Sequence, residues 1–234
     1  MANALKEVVL RSMRSVARRR GYHLIPEWKL DSHTFARHLQ KLFEHYRIDC
    51  VLDVGGNTGQ YHDFLRAEIG FDGWIVSFEP VNKYIRHLQQ RAAADSRWRI
   101  VDCALGAGAG TATINVTQSP GLNSFLAPSD EKLPGFWKGQ QSSQENVRVA
   151  RLDDLLTDLR AQTGFSRPYL KLDTQGFDLE VIKGAQQSLP LMRALQTEAS
   201  VHAIYSGMPH WKESVATLEA LGFRIERHVS SLAR

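Results

Sequence analysis

The chain of 234 residues has little cysteine and no long apolar run. Its two cysteines, Cys50 and Cys103, lie in short apolar stretches, which predicts buried reduced thiols and argues against a disulfide framework. No stretch approaches eighteen consecutive apolar residues, so no transmembrane helix is predicted. The N-terminus also lacks the apolar core of a secretory signal peptide. Together these absences favour a cytoplasmic location.

Positive charge is concentrated at the N-terminus. The chain has a net charge of +4, whereas residues 1–20 contain six basic side chains and a single acid, so that the rest of the chain is close to neutral. A nearly neutral body predicts no nucleic-acid partner. Apolar residues of the arm recur at helical spacing, which predicts an amphipathic helix. Its basic face would either be solvated beside the domain or contact an anionic membrane, placing the protein at the inner membrane face.

Strand-like and helix-like segments alternate through most of the chain. After a helix at 31–47, strands are predicted at 50–55, 74–80, 98–106, 168–176, 194–201 and 223–229, and helices at 58–68, 81–94, 152–159, 178–188 and 211–221. This alternation predicts an α/β fold with a doubly wound, mainly parallel, Rossmann-like sheet that has helices on both faces. Residues 1–47 are then an N-terminal helical arm, and residues 48–234 form the main domain.

An insertion follows the third predicted strand. TATINV (111–116) alternates with a period of two and predicts a small β-extension. Residues 117–146 are rich in Ser, Pro, Gly and Gln and predict a long loop on the acceptor side, either a lid with aromatic residues Phe125, Phe136 and Trp137 or a disordered surface insertion.

The C-terminus predicts either a sixth strand that takes the vacant place beside the fifth or an open sheet edge. Only five residues follow 223–229, so we expect the usual final antiparallel strand to be missing. The N-terminal helices or a second subunit would cover that edge, and the latter predicts a homodimer.

The stretch VLDVGGNTG (51–59) places an acid and three glycines at the end of the first strand. A dinucleotide fingerprint has glycine at its first, third and sixth positions, but counting from Gly55 the third is Asn57 and the sixth is Gln60. A carboxylate at this lip repels pyrophosphate and attracts a cation, which disfavours NAD and favours S-adenosylmethionine. The predicted contacts with its amino-acid part are Asp53, Gly55, Gly56, Asn57, Thr58 and Gly59.

Acidic residues also end the next two predicted strands. Glu79, followed by Pro80, is placed to accept both hydroxyls of a ribose. Asp102, followed by Cys103 and Ala104, is expected to meet the adenine amino group. Three acids at the ends of three successive strands predict one nucleoside site at this edge of the sheet.

Several motifs together resemble the FkbM-type methyltransferases, over about residues 48–223. They are VLDVGGNTGQY, IVSFEP, ALG, RLDDLL, LKLDTQGFDLEVIKGA and TEASVHAIYSG. The chain differs from the family in having Gly56 where members usually have Ala, and in ending at Arg234 before the final antiparallel strand. The resemblance implies a class I S-adenosylmethionine-dependent enzyme that O-methylates sugars or natural products.

Acceptor chemistry is expected at the ends of the fourth and fifth strands of the main sheet. A sugar hydroxyl needs a base to take its proton, and the candidates are Asp173, Glu198 and His202. A period of two along 194–201 would put Gln196, Glu198, Ser200 and His202 on one face. The three candidates would also be the ligands of any divalent metal, but no dense ligand spacing supports one, and no metal site is predicted.

The predicted function is S-adenosylmethionine-dependent O-methylation of a sugar hydroxyl in a glycolipid, polysaccharide or glycosylated natural product. A small-molecule or protein N- or O-methyltransferase on the same scaffold is an alternative. A catalytically inactive, cofactor-binding partner subunit is another.

Overall fold

The computed structural model describes residues 30–129 and 142–226, together with 13, 16, 17, 19–22 and 26. Most of the basic arm, and Phe136 and Trp137 of the predicted lid, lie outside the described residues. Positions 13, 16, 17 and 19 are helical, and the side chains of Met13 and Val16 are exposed. Within the described part of the chain, no helix combines the length and apolarity needed to span a bilayer.

Within residues 30–129 and 142–226, eight strands and six α-helices are numbered here in chain order. The strands are β1 (Cys50–Val54), β2 (Trp74–Phe78), β3 (Trp98–Val101), β4 (Ala104–Leu105), β5 (Gly110–Thr117), β6 (Ser142–Ala150), β7 (Pro168–Leu172) and β8 (Ala194–Gln196). The helices are α1 (Leu30–Tyr46), α2 (Gln60–Asp63), α3 (Asn82–Ala92), α4 (Leu152–Thr163), α5 (Asp178–Lys183) and α6 (Trp211–Ala220), and a π-helix (Phe64–Ile69) follows α2 directly.

Five parallel strands form the main sheet in the order β3-β2-β1-β7-β8. Successive side chains of β1 point to opposite faces, and both faces are buried. Leu52 packs in a cluster with Leu156 of α4, whereas Val51 belongs to a second cluster with Leu39 of α1 and Leu88 of α3. Helices therefore cover both faces, and the predicted doubly wound α/β fold is confirmed. The strand order reverses between β1 and β7, which places a crevice at their carboxyl ends.

The insertion forms a second sheet in the order β4-β6-β5. The predicted β-extension is confirmed as β5, but the predicted loop is wrong at 142–146. There β6 pairs antiparallel with β5, in a register that runs from Thr117 opposite Ser142 to Gly110 opposite Val149. The segment SSQEN (142–146) contains no apolar residue that would predict a strand, because the strand is largely exposed over these residues. It packs against the core only later in the strand, as at Val147.

The predicted strand 194–201 is too long, and residues 223–226 of the predicted strand 223–229 form no strand. The predicted strand 194–201 stops at Gln196, because the Asp178 carboxylate accepts hydrogen bonds from the Thr197 hydroxyl and the Glu198 backbone N–H. The shared face that was expected to include His202 therefore does not form, and His202 is exposed. Residues 223–226 contain no strand, and the rest of the predicted strand 223–229 lies outside the described residues.

Candidate active site

A cleft lies at the carboxyl ends of β1, β2 and β7 and encloses about 620 Å³, part of it open solvent. It brings together five of the predicted cofactor residues and one predicted catalytic residue, namely Gly55, Asn57, Glu79, Pro80, Ala104 and Asp173. Residues from the insertion complete its wall. The other predicted residues lie outside this lining, and the structure gives each of them a different environment.

The glycines of the β1–α2 turn are required by the packing of the protein itself. Gly55 and Gly59 have φ angles of 86° and 88°, which only glycine adopts readily. A Cβ atom on Gly55 would lie 2.1 Å from the carbonyl oxygen of Asp173 in the neighbouring segment. On Gly56 it would lie 2.9 Å from a β2 side chain, and on Gly59 2.5 Å from Arg91. These close approaches are enough to explain why glycine occupies all three positions. The prediction from the sequence was instead that glycine lets the ligand approach the backbone. The carbonyl of Thr58, the other turn residue, accepts a hydrogen bond from Arg91.

Asp53 does not lie at the lip of this turn, and that prediction is wrong. Its side chain is fully buried and accepts hydrogen bonds from the Ser77 hydroxyl and the Lys171 ammonium, each at 2.9 Å. Lys171 is itself buried and lies 3.4 Å from the Asp173 carboxylate. Burial opposes the lysine charge, but the two carboxylates outweigh it and raise the pKa of Lys171. The signal that was missed is a lysine within the apolar strand PYLKL, because a buried charge needs a partner.

Glu79 is buried in the cleft wall beside the glycine turn. Its carboxylate oxygens accept the backbone N–H groups of Asn57 at 2.7 Å and Val81 at 2.9 Å. Burial raises the pKa of Glu79 to about 7, although these two hydrogen bonds oppose the change. Each oxygen accepts one bond and retains a lone pair for a ligand. The side-chain oxygen of Asn57 is also buried without a hydrogen-bond partner, so the cleft wall contains unused acceptors.

Apolar residues also line this cleft, with Ile114 and Phe125 from the insertion and Phe177 from the loop before α5. The rings of Phe125 and Phe177 are tilted against each other with centroids 4.8 Å apart, and Ile114 lines the same cleft. The Ser124 hydroxyl donates to the backbone carbonyl of Gln175 at 2.8 Å, which ties the insertion to the end of β7. The start of the predicted lid therefore lies on the cleft, while its role in closure stays a prediction.

Asp102 is exposed on the surface, whereas Cys103 lies in the core. The Asp102 carboxylate is exposed and forms an ion pair with the equally exposed Arg148 at 3.1 Å. Its expected contact with adenine stays a prediction. Cys103 is fully buried, and burial raises the pKa of its thiol to about 11. Its side chain is thus part of the core and does not line the cleft.

Two of the predicted catalytic carboxylates are joined by an amide. The side-chain nitrogen of Gln175 donates to Asp173 at 3.0 Å and to Glu198 at 3.2 Å. Glu198 is exposed as a residue, but partial burial of its carboxyl and the negative charges of Asp173 and Asp178 raise its pKa to about 7. A carboxyl with a pKa near neutrality is suited to general-base catalysis.

Two further residues of this region were not predicted from the sequence. Asp178 is buried and accepts the Thr174 backbone N–H at 3.0 Å, besides its bonds to the segment after β8, and burial raises its pKa. It therefore ties the ends of β7 and β8 together. Tyr205 is buried, and its hydroxyl lies 3.0 Å from the Leu122 carbonyl and 3.2 Å from the Gln175 side-chain oxygen. An acid in the first turn of a helix and a buried tyrosine are too common to predict a site.

Metal binding finds no support in this geometry. Among the residues that the structure describes, no group of three or more His, Cys, Asp or Glu side chains is arranged to hold an ion. Of the three candidate ligands, Asp173 and Glu198 share an amide donor and His202 is exposed.

Comparison with known proteins places the chain in a family. A family model described as the methyltransferase FkbM domain matches residues 53–225. No curated protein matches the chain significantly. The crystal structure of methyltransferase FkbM from Methylobacillus flagellatus KT aligns at 15% identity with a TM-score of 0.46, covering 74% of this chain and 36% of that one. A putative caffeoyl-CoA O-methyltransferase from Staphylococcus aureus aligns at 9% identity with a TM-score of 0.35, covering 78% and 61%.

The chain thus spans about a third of the first solved structure and three-fifths of the second. The family model, in contrast, covers most of the chain, including the β1–α2 turn, Glu79, Asp173 and Glu198. The chain therefore belongs to the FkbM methyltransferase family.

Proposed function

We propose that the protein is an S-adenosylmethionine-dependent O-methyltransferase that acts on a hydroxyl of a neutral sugar, in a glycolipid, polysaccharide or glycosylated natural product. The observation that carries the proposal is that Glu79 and Asp173 line one cleft, with Glu198 linked to Asp173 at its edge. The carboxylate that we propose for the nucleoside and the pair that we propose for the acceptor would then serve one cleft.

The residues of the cleft fit this cofactor. The free lone pairs of Glu79 suit the two hydroxyls of a ribose, and the unpartnered oxygen of Asn57 suits a further donor. The apolar wall that includes Phe177 suits an adenine ring. When bound, S-adenosylmethionine supplies a methyl group activated by a positively charged sulfur. The negative charge of Asp173 and Glu198 is favourable near that positive charge.

The charges of the cleft favour a neutral acceptor. Lys171 is the cation nearest to the carboxylate pair among the described residues, and its ion pair with Asp53 offsets its charge. Asp173 and Glu198 therefore leave this end of the cleft negative. A phosphate or carboxylate on the acceptor would be repelled, whereas a polyol can donate hydrogen bonds to both side chains.

The pKa of Glu198 makes it the best candidate for the base. With a pKa of about 7 it is partly ionised at neutral pH, so that it can take the acceptor proton as the oxygen attacks. Asp173, bound to the same amide, would orient the acceptor hydroxyl. The alignment of acceptor oxygen and methyl carbon in a partly closed cleft would provide much of the acceleration.

The carboxylate pair also suits a positively charged amine, so N-methylation of an amine is a second candidate function. Transfer of a labelled methyl group to neutral glycosides, uronic-acid glycosides and simple amines separates the possibilities. We expect neutral glycosides to be methylated and uronic acids to be rejected. Methylation of amines alone would favour the second function, and no transfer to any class would favour an inactive cofactor-binding subunit.

Calorimetry tests cofactor binding directly. We expect the full-length protein to bind S-adenosylmethionine, and Glu79→Ala to weaken binding about 10- to 100-fold, because hydrogen bonds to a charged group contribute about 1.5–3 kcal/mol. As a control, Asp158→Ala, which removes an exposed carboxylate of α4 outside the cleft lining, should change affinity less than about twofold. Binding of NADH without binding of S-adenosylmethionine would disprove the proposed function.

A further inference from the structure

The backbone of Gln175 has an unusual conformation for a residue with a side chain. Its φ angle is 54°, in the left-handed region that favours glycine, and it lies in the loop between β7 and α5. Such conformations persist only where surrounding contacts hold them, and they cluster at functional sites. The contacts of Gln175 should therefore show why this residue is not a glycine.

The side chain of Gln175 is fully used in hydrogen bonds. Its amide nitrogen has two N–H donors and lies within bonding distance of two carboxylates, Asp173 and Glu198. Its amide oxygen lies 3.2 Å from the Tyr205 hydroxyl. Glycine would relieve the backbone but would remove every one of these bonds. The left-handed backbone thus places an amide between two carboxylates that belong to the segments after β7 and β8.

The two carboxylates determine which way this amide faces. In the opposite orientation the amide oxygen of Gln175 would face Asp173 and Glu198, and three negatively polarised groups would repel one another. The buried hydroxyl of Tyr205 has a single proton, which lies between the Leu122 carbonyl at 3.0 Å and the amide oxygen at 3.2 Å. Tyr205 is itself held by an antiparallel bridge to Pro128. The hydroxyl therefore contacts the amide oxygen but does not by itself select the orientation.

We propose that Gln175 is a positioning residue, whose amide holds the Asp173 and Glu198 carboxylates together as a pair facing one acceptor. The proposal rests on the proposed function, in which this pair receives the acceptor group. In this role Gln175 acts only through the two carboxylates. It neither binds the cofactor nor transfers a proton itself.

The amide should also control the ionisation of the pair. The ionisable groups around the Glu198 carboxyl are Asp173, Asp178, Tyr205 and Lys171. The first two disfavour its negative charge, while Lys171 and the Gln175 amide favour it, and the net result of burial and these charges is a pKa of about 7. Without the amide, two carboxylates face each other with no donor between them, so Glu198 should ionise at higher pH.

Carbon-13 NMR of carboxyl-labelled glutamate in the full-length protein tests this without cofactor or acceptor. Glu198→Gln assigns the resonance, and we expect a wild-type midpoint near neutral pH. Gln175→Gly should raise the midpoint by about one pH unit, since a charge-assisted hydrogen bond is of that strength. Tyr205→Phe, which removes a contact with the amide oxygen but retains the amide and both its donors, should raise the midpoint by less.

Gln175→Gly removes the side-chain amide but keeps a residue that readily adopts the left-handed backbone conformation. It therefore tests the amide alone. If Gln175 only shapes the loop, glycine at φ 54° is the better residue, and the Glu198 midpoint should not move. That result would overturn the proposal. If the glycine variant does not fold, Gln175→Met, which has similar length and no donor, provides the same test.

Failure of this proposal is distinguishable from failure of the proposed function. An unchanged Glu198 midpoint together with binding of S-adenosylmethionine overturns the positioning role alone. A raised midpoint without cofactor binding overturns the proposed function alone. If a methylated acceptor is found, Gln175→Gly should lower kcat at neutral pH and move the acid limb of the rate profile upward, with cofactor affinity within about threefold of wild type.

Discussion

The two sides of the cleft are built in different ways. The glycine-turn side, residues 55–59 with Glu79, is shaped by close backbone packing, and its main hydrogen bonds to Glu79 come from backbone N–H groups. The carboxylate side, Asp173, Gln175, Asp178 and Glu198, is shaped by hydrogen bonds between side chains and from backbone to Asp178. Added atoms should therefore destabilise the glycine-turn side, whereas the loss of a single polar group should disrupt the carboxylate side.

Lys171 connects the two sides. Its ammonium binds Asp53 beneath the glycine turn, approaches the carbonyl of Gly55 at 3.4 Å, and lies 3.4 Å from Asp173 on the carboxylate side. Because this lysine and Asp53 are both buried, neither charge can be left alone without a large cost.

The largest expected effect is therefore that of Lys171→Met. It leaves the Asp53 carboxylate buried and unpaired, and we expect the free energy of unfolding to fall by about 3–5 kcal/mol in urea denaturation. Removing the second charge as well, in Asp53→Asn with Lys171→Met, should restore part of that loss.

The matched control is Lys183→Met, which removes a lysine from an exposed ion pair with Glu180 and should cost less than about 1 kcal/mol. Equal losses in Lys171→Met and Lys183→Met would show that the buried lysine does not connect the two sides as described.

Gly55→Ala should have the next largest effect. The added methyl group would lie 2.1 Å from the Asp173 carbonyl, and the φ of 86° is itself unfavourable for alanine, so we expect a loss of about 3 kcal/mol. Gly164→Ala is the control, because Gly164 has a φ of 77° with no atom within 4 Å. It should lose only about 1 kcal/mol, the cost of the conformation alone. Equal losses in thermal or urea unfolding would mean that packing between β1 and β7 is not what requires Gly55.

Glu79→Gln should produce the smallest effect, on the pH dependence of stability. The pKa of Glu79 is raised from 4.5 to about 7, so its protonated form stabilises the fold fully below about pH 4.5. This contribution is lost as the pH rises through 7. Between pH 5 and 8 the wild type should lose about 2 kcal/mol more than the variant, measured by urea denaturation at both pH values. Parallel curves would show that Glu79 ionises normally.

The same difference between the two sides explains what the sequence could predict. The parallel sheet follows from strands that are apolar throughout, and the β1–α2 turn follows from its glycines. The apolar pattern cannot show which acid is buried, so Asp53 was placed at the lip although Lys171 neutralises it in the core. A half-exposed strand such as β6 leaves a weak apolar signal, and its first half was predicted as loop.

The carboxylate side depends on partners that are distant in the sequence. Asp178 stops β8 after Gln196 by binding the next two residues, and nothing in the alternation of ALQTEASV reveals this competition. Gln175 and Tyr205 are thirty residues apart, and their contact exists only once both loops are folded. Hydrogen-bond networks of this kind therefore become apparent only in the structure and could not be predicted from the sequence.

The joining of the insertion to the segment around Tyr205 has a consequence for local unfolding. Ser129 donates to the Ile204 carbonyl at 3.1 Å, and Ser206 donates to the Ala127 carbonyl at 2.8 Å. The two segments thus share one set of backbone hydrogen bonds and should exchange their amide protons as one cooperative unit. Each opening of that unit also detaches Tyr205 from Gln175. Opening of this unit should therefore loosen the amide that lies between the two carboxylates, so the exchange of its amide protons also reports on the order of the carboxylate pair.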